Sequence, residues 1–190
     1  MKRFASAALL SVCLLPAAAW AGWILDLPSS GIRFRTTTFQ VVSVQGGFDR
    51  FSGKVVYDEK DITKSSAEIT IDVASIHSGI GLRDSDLRGR RFFDVARYPT
   101  AVFRSKKIVQ VADGKLKVTG DLTLHGVTKE VVLDVQGPTV LPKDSAGKEH
   151  VGGKAAGTIS REMFRMGGLV GSDTVELEID IDLIRVDGSP

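Results

Sequence analysis

The longest regular alternation of apolar and polar residues lies between Lys115 and Val135. From Lys115 to Leu124, apolar or small residues occupy the even positions and polar residues the odd ones. Because successive side chains of a β-strand point to opposite faces, this stretch predicts a strand with one buried and one exposed face. The alternation resumes after His125-Gly126, from Lys129 to Val135. The whole stretch therefore predicts a β-hairpin with a tight turn.

The same alternation recurs along the chain. It is clearest in residues 32–39, 67–73, 101–107, 151–159 and 175–183. Residues 75–99 lack it, and after Arg83 the acidic residues Asp84 and Asp86 precede the next basic ones, as a short helix prefers. The sequence therefore predicts an all-β fold of eight antiparallel strands with one short helix near residues 83–91. Residues 39–53 are less regular and are interpreted either as a bulged strand or as a loop over a pocket.

A sandwich and a closed barrel both satisfy this pattern of strands with one buried face. A barrel leaves no exposed edge, and eight strands enclose roughly enough space for one ligand. An outer-membrane barrel would also alternate, but it would crowd Glu176, Glu178, Asp180 and Asp182 onto one wall of a narrow lumen. Aromatic residues make up only 7% of the chain, too few for two girdles. We therefore take the apolar faces as the interior of a soluble protein.

The first residues have the features of a secretory signal peptide. Lys2 and Arg3 precede an apolar run, and Ala19-Trp20-Ala21 is a small-x-small ending, so we expect cleavage after Ala21. The run is too short to span a bilayer, and we expect no stable membrane insertion. The mature chain, residues 22–190, is then a single domain. Removal of residues 1–21 takes two of the 25 basic residues and none of the 23 acidic ones, which leaves 23 of each. This balance predicts no nucleic-acid partner.

No catalytic or cofactor motif is present. The three histidines show none of the spacings of zinc sites, and phosphate-binding glycine loops and G-x-S-x-G are absent. The expectation is therefore no metal, no cofactor and no enzyme activity. Three polar residues remain open to two interpretations. His125 is a turn residue or a polar group at a barrel rim, Arg83 is a helix-start ion pair or a head-group contact, and Arg161 is a buried functional cation or a rim residue.

Several motifs together resemble the YceI-like family. They are Trp23-x-x-Asp26, Phe51-Ser52-Gly53-Lys54-Val55, Ser75-Ile76-x-x-Gly79, Arg83-Asp84-x-x-Leu87, Phe92-Phe93-Asp94, Tyr98-Pro99, Gly120 to Lys129 and Ser160-Arg161-x-x-Phe164. The resemblance implies a periplasmic, lipocalin-like, eight-stranded antiparallel barrel whose elongated apolar cavity holds a long-chain amphiphile such as a polyisoprenoid. One departure is Arg165-Met166-Gly167-Gly168, because family members often carry a glycine directly after the phenylalanine that matches Phe164.

The leading hypothesis is a periplasmic binding or carrier protein for an isoprenoid or another fatty amphiphile, with a homodimer left open. The inward phase of the strands gives eight candidate lining residues, each of which is otherwise plain barrel core. They are Phe34, Ile69, Ile71, Phe103, Leu122, Leu133, Ile159 and Ile179. The alternatives are an enzyme that acts on such a lipid through His125, Asp121 or Arg83, and a stress-related protein-interaction module.

Overall fold

The computed structural model describes residues 22–38, 42–167 and 173–186, so the predicted signal peptide lies outside the described residues. The helix α1 spans Gly81–Arg88, and short 3-10 turns span Ile62–Lys64, Val73–Ser75 and Glu162–Phe164. The strands are β1 (Gly22–Leu25), β2 (Gly31–Thr38), β3 (Val42–Phe48), β4 (Phe51–Val56), β5 (Ser66–Asp72), β6 (Ile76–His77), β7 (Thr100–Ala112), β8 (Lys115–Leu124), β9 (Val127–Leu141), β10 (His150–Ser160) and β11 (Thr174–Val186). No helix in these ranges is long and apolar enough to cross a membrane.

The strands form one strongly curled antiparallel sheet. Hydrogen-bonded neighbours follow the order β4-β5-β7-β8-β9-β10-β11-β2-β3-β6, and β1 also pairs with β11. The eleven segments exceed the eight strands expected, because three of the strands are interrupted. The segments β1 and β2 both pair with β11, while β3 and β4 pair in turn with β6 and β5. The order begins with β4 and ends with β6. Because β3 and β4 are two halves of one strand, and β5 and β6 are two halves of the next, the pairs β4–β5 and β3–β6 join the two ends of the sheet, as the predicted barrel requires.

Two of the interruptions lie side by side and bind each other. The Arg50 N–H donates to Ser75 Oγ at 3.0 Å, and the Asp72 N–H donates to the Arg50 carbonyl at 3.0 Å. The Asp72 carboxylate accepts from the Ala74 N–H at 2.9 Å and from the Arg50 guanidinium at 2.7 Å. This corner keeps the backbone groups of both breaks satisfied while the sheet bends.

The central hairpin is confirmed. β8 and β9 pair from Leu124↔Val127 to Lys115↔Gln136. The two turn residues, His125 and Gly126, both have positive φ, which is the backbone of a two-residue hairpin turn. The alternation also places the even residues of β8 inside, since Leu116, Val118, Leu122 and Leu124 are buried.

The helix lies two to three residues before the predicted position. Residues 83–91 were expected, but α1 begins at Gly81 and ends at Arg88. Ile80 at its N-cap makes no side-chain capping bond, so the sequence carries no start signal there. Gly89 leaves the helical region, and Arg88 turns its guanidinium to the carbonyl oxygens of Ala74 and Ile76 at 2.8 and 2.7 Å.

The acidic residues of β11 point outward and meet basic residues from the two neighbouring strands. Asp180 pairs with Arg33 and with Lys154 at 2.8 Å, and Glu178 pairs with Arg35 at 3.6 Å. Leu183, on the opposite face of the same strand, is buried. The apolar faces therefore form the interior of the curled sheet.

Candidate functional site

Two apolar chambers lie inside the part of the sheet that the structure describes. Chamber 1, of about 160 Å³, lies between the turn at 26–30, the Ile62–Lys64 turn and the parts of β8 to β11 near Leu116 and Val151. Chamber 2, of about 180 Å³, lies toward α1 and is lined by Leu87, Phe92 and Phe93 among others. Together they reach the lower end of the roughly 300–1,000 Å³ typical of small-molecule sites.

The two chambers meet at a shared ring of residues, which we call the waist. Both chambers are lined by Ile32, Ile69, Phe103, Leu133 and Ile179. Because these five side chains come from different strands around the sheet, the chambers are successive parts of one elongated interior. Its walls are almost entirely hydrocarbon, which suits an apolar chain and gives little to a polar solute.

Glycines on neighbouring strands leave room for the bulkiest wall residues. A methyl group at Gly120 would lie 2.5 Å from the Phe103 ring, and one at Gly157 would lie 2.6 Å from Leu133 Cδ2. Gly46 and Gly53 receive Phe34 and Ile69 in the same way. The large side chains therefore lie sideways along the wall, and the space that each glycine vacates is filled by protein.

All eight residues nominated as cavity lining lie on a chamber wall. Four of them, Ile69, Phe103, Leu133 and Ile179, belong to the waist, and Phe34, Ile71, Leu122 and Ile159 line chamber 2. Leu122 and Leu133 are also buried among core residues, so the same side chains support the fold and bound the interior. Their role in ligand contact stays a prediction.

Arg161 is the one nominated polar residue on a chamber wall. It lines chamber 2, and its Nε is buried without a hydrogen-bond partner among the described residues. Its backbone N–H donates to the Asp173 carbonyl at 2.9 Å. A hydrogen bond from Ser160 chiefly lowers the pKa of the Asp173 carboxyl, and the nearby positive charge of Arg161 contributes to the same shift. Arg161 thus brings a cation, near the Asp173 carboxylate, to a mostly apolar wall.

Arg83 and His125 lie elsewhere and have local partners. Arg83 donates from Nε to Ser78 Oγ and from a terminal nitrogen to the Ser78 carbonyl, both at 2.7 Å, so it fastens α1 to the preceding loop. His125 Nδ1 lies 3.2 Å from the Phe164 carbonyl oxygen, and its ring packs edge-on against Tyr98 at 4.7 Å between centroids. Neither residue lines a chamber.

Asp121, the third residue of the enzyme hypothesis, faces outward. Its carboxylate pairs with Lys106 at 3.0 Å. Asp121, His125 and Arg83 therefore each have separate partners, and these contacts do not assemble them into one site.

Sequence reasoning missed a cluster on the outer wall near chamber 1. Single side-chain atoms of Asp26, His150 and Asp182 all lie within 4.8 Å of one another. The hydrogen bond from His150 Nδ1 to Asp182 Oδ1, 2.8 Å long, chiefly raises the pKa of His150 above its usual range. The three residues are far apart in the chain, so no spacing signals the cluster; only Asp26 belongs to a motif noted in the sequence.

The comparisons with known proteins agree with this fold. The YceI-like domain matches residues 23–183. The chain belongs to the YceI-like family. A UPF0312 protein of Vibrio campbellii is 31% identical to this YceI-like chain over 97% of the chain and the whole relative. A UPF0312 protein of Vibrio cholerae is 33% identical over 82% of this chain and 81% of the relative.

Solved structures of the family have the same architecture. Burkholderia cenocepacia BcnA is 28% identical, with a TM-score of 0.72 over 83% of this chain and 98% of its own. The Campylobacter jejuni YCEI protein is 30% identical, with a TM-score of 0.70 over 78% of this chain and 89% of its own. A polyisoprenoid binding domain from Saccharophagus degradans shares 19% identity and the fold, with a TM-score of 0.64 over 88% and 100% of the two chains.

Proposed function

We propose that this YceI-like protein is a periplasmic carrier that holds a polyisoprenoid or another long-chain amphiphile inside the curled sheet. The observation that carries the proposal is the pair of abutting apolar chambers, which the waist joins into one elongated space. Each methylene group buried there supplies roughly 0.8 kcal/mol, so a long chain binds without any specific polar motif. The polyisoprenoid-binding domain of the same fold supports this ligand class.

Arg161 is the residue proposed to receive the polar end of the ligand. A guanidinium on an apolar wall is costly unless an anion pairs with it. Since its Nε has no hydrogen-bond partner among the described residues, an anionic head group in chamber 2 satisfies it and leaves the chain to pass the waist toward chamber 1. Arg83 and His125 then act by holding α1 and the β8–β9 turn in place.

Binding, rather than catalysis, is the role that the interior supports. The three residues nominated for an enzyme are committed to separate structural contacts. A carrier needs none of them in the chamber, because transfer of an apolar chain from water supplies the affinity. The predicted signal peptide would export such a carrier to the space between two membranes, where a water-insoluble lipid needs a protein host.

Co-purification from the periplasm tests the proposal. The full chain, expressed in a Gram-negative host, should appear in the periplasmic fraction with an N-terminus at Gly22. Native mass spectrometry should then show an added mass, and organic extraction should release a long-chain isoprenoid or fatty amphiphile. The native mass also distinguishes a monomer from a homodimer.

Two adjacent alanines provide matched variants. Ala155 is buried and lines chamber 1, whereas Ala156 on the opposite face of β10 is exposed. Ala155→Phe fills the chamber and should lower lipid occupancy at least tenfold, while Ala156→Phe should retain wild-type occupancy. A wild-type protein that carries no extractable lipid and binds none when offered, or equal occupancy in both variants, would contradict the carrier function.

A further inference from the structure

A buried histidine lies on the outer wall beside chamber 1. His150, the first residue of β10, has only 9% of its side chain exposed. Val151, which follows His150 in the chain, and Leu183, which follows Asp182, both line chamber 1. His150 and Asp182 therefore point to the outer side of the same strands. The loop of residues 142–149 lies next to it, and Asp26 reaches it from the turn between β1 and β2.

The two ring nitrogens of His150 differ in their surroundings. Nδ1 is 2.8 Å from Asp182 Oδ1, which makes a full hydrogen bond. Nε2 is buried and has no hydrogen-bond partner among the described residues; Asp144 Oδ2 lies 3.6 Å from it. Nε2 is therefore held by Asp144 in a long ion pair, and Nδ1 is the ring nitrogen that faces Asp182.

We propose that Asp26, His150 and Asp182 bind a divalent transition-metal ion of the zinc type. One imidazole and two carboxylates are a donor set that suits zinc, and three protein ligands leave one position open. Calcium takes six to eight oxygen ligands and magnesium a nearly octahedral set of oxygens, which an imidazole with two carboxylates does not provide.

The metal binds His150 through Nδ1, because this nitrogen faces Asp182, the second ligand. Nδ1 then gives up its proton, and Nε2 carries the remaining one. The Nε2–H can donate to Asp144 after a shift of a few tenths of an ångström from the present 3.6 Å. Carboxylates commonly hold metal-binding histidines in this way. The assignment therefore accounts for the cluster and leaves the Nε2–H to the carboxylate that already lies beside it.

Such an ion joins three separate parts of the barrel. Asp26 belongs to the turn that interrupts the first strand, His150 begins β10, and Asp182 lies on β11. With Asp144 as the orienting group, the ion also fixes the loop of residues 142–149. The metal site is independent of the lipid proposal, because none of these four residues lines a chamber.

Calorimetric titration with zinc chloride tests the site. The protein is the mature chain without a polyhistidine tag, freed of metal with EDTA and dialysed. We expect one zinc ion per chain, and at least tenfold weaker binding for both His150→Gln and Asp26→Asn. His77→Gln is the matched control, because His77 also faces a carboxylate, Asp49 at 3.0 Å, but on an exposed surface. It should bind zinc like the wild type.

Nitrogen-15 spectra of the unmutated chain provide a test that does not depend on the folding of variants. Zinc should shift the Nδ1 signal of His150 while Nε2 stays protonated. The proposal is overturned if no zinc binds, if zinc saturates the protein without changing the His150 signals, or if His77→Gln loses the binding that His150→Gln keeps.

Discussion

Arg161 is a cation on a mostly hydrocarbon wall, and substitutions that remove its charge test its role. Arg161→Gln should weaken the binding of geranylgeranyl phosphate about tenfold or more, since a charge-assisted hydrogen bond contributes about 1.5–3 kcal/mol. The binding of the uncharged alcohol geranylgeraniol should change little. Fluorescence displacement with both compounds measures the two effects.

Arg165→Gln is the control for that experiment, because Arg165 is exposed and its backbone N–H contacts only Glu162. It should leave the binding of both compounds unchanged. Equal losses for the phosphate and the alcohol in Arg161→Gln would show that Arg161 acts through packing and not through its charge.

Single residues show what an alternating pattern does and does not predict. The phase of each strand was enough to place Phe34, Ile69 and Leu133 on the chamber walls, because alternation dictates the face. The filling of the space at Gly120 was not predictable, since the Phe103 ring that fills it comes from the next strand. The cluster at His150 was missed for the same reason: strand pairing, and not sequence spacing, brings its members together.

The β8–β9 turn docks the end of the hairpin onto other parts of the chain. His125 contacts Phe164 and Tyr98, and a methyl group at Gly126 would lie 2.5 Å from the Tyr98 ring. The turn therefore fixes the end of the hairpin against the segment that follows α1 and against the turn at Glu162–Phe164. Its conformation and its contacts both require glycine at position 126.

A comparison of Gly126 with Gly114 separates the need for a left-handed backbone from the need for space beside Tyr98. Gly126 and Gly114 have φ of +72° and +61°, but nothing lies within 4 Å of a methyl group at Gly114. Alanine at either position should cost about 1–2 kcal/mol for the left-handed backbone. Gly126→Ala should lose about 1–3 kcal/mol more through the clash with Tyr98. Urea denaturation measures both free energies of unfolding, and equal losses would rule out docking by this contact.

Element boundaries were predicted less well than element types. The helix was expected from its charge order, but its end depends on Arg88, whose carbonyl partners Ala74 and Ile76 lie more than ten residues earlier in the chain. Proline favours a break in a strand, yet β9 continues through Pro138 to Leu141, where pairing with β10 resumes beyond an irregularity. The sequence near an irregular strand pairing does not indicate where the irregularity will lie, because it depends on the partner strand.

The barrel as a whole is closed at the corner where β3 and β4 meet β5 and β6. Asp72 is central there, because its carboxylate binds Ala74 and Arg50. The hydrogen bond from Arg50 chiefly lowers the pKa of Asp72 below its usual value near 3.8. A lowered carboxyl pKa stabilises the fold above the ordinary pKa, and this contribution is lost as the pH falls through the folded value.

The free energy of unfolding should therefore fall as the pH decreases below about 3.8, and Asp72→Asn should make this fall less steep. Urea denaturation at pH 6, 4 and 3 measures the slope. Asp113→Asn, in the exposed turn between β7 and β8, is a control that should keep the wild-type slope. If Asp72→Asn also keeps it, the corner does not contribute to acid sensitivity.

The overall architecture was accessible from sequence because eight alternating stretches, each with one buried face, leave few ways to close a core. Alternation alone did not separate a sandwich from a barrel; strand pairing decided that. The eleven observed segments arise from breaks at 26–30, 49–50 and 73–75, where local turns interrupt strands without changing the order of the sheet.

The waist has a consequence for the stoichiometry of loading. Its five side chains divide the interior into two compartments of nearly equal size. Under the proposed function, a short amphiphile would fill one compartment and leave room for a second molecule in the other. A long chain would thread the waist and exclude the second molecule. We therefore expect the number of bound molecules per barrel to depend on chain length: two short ones or a single long one.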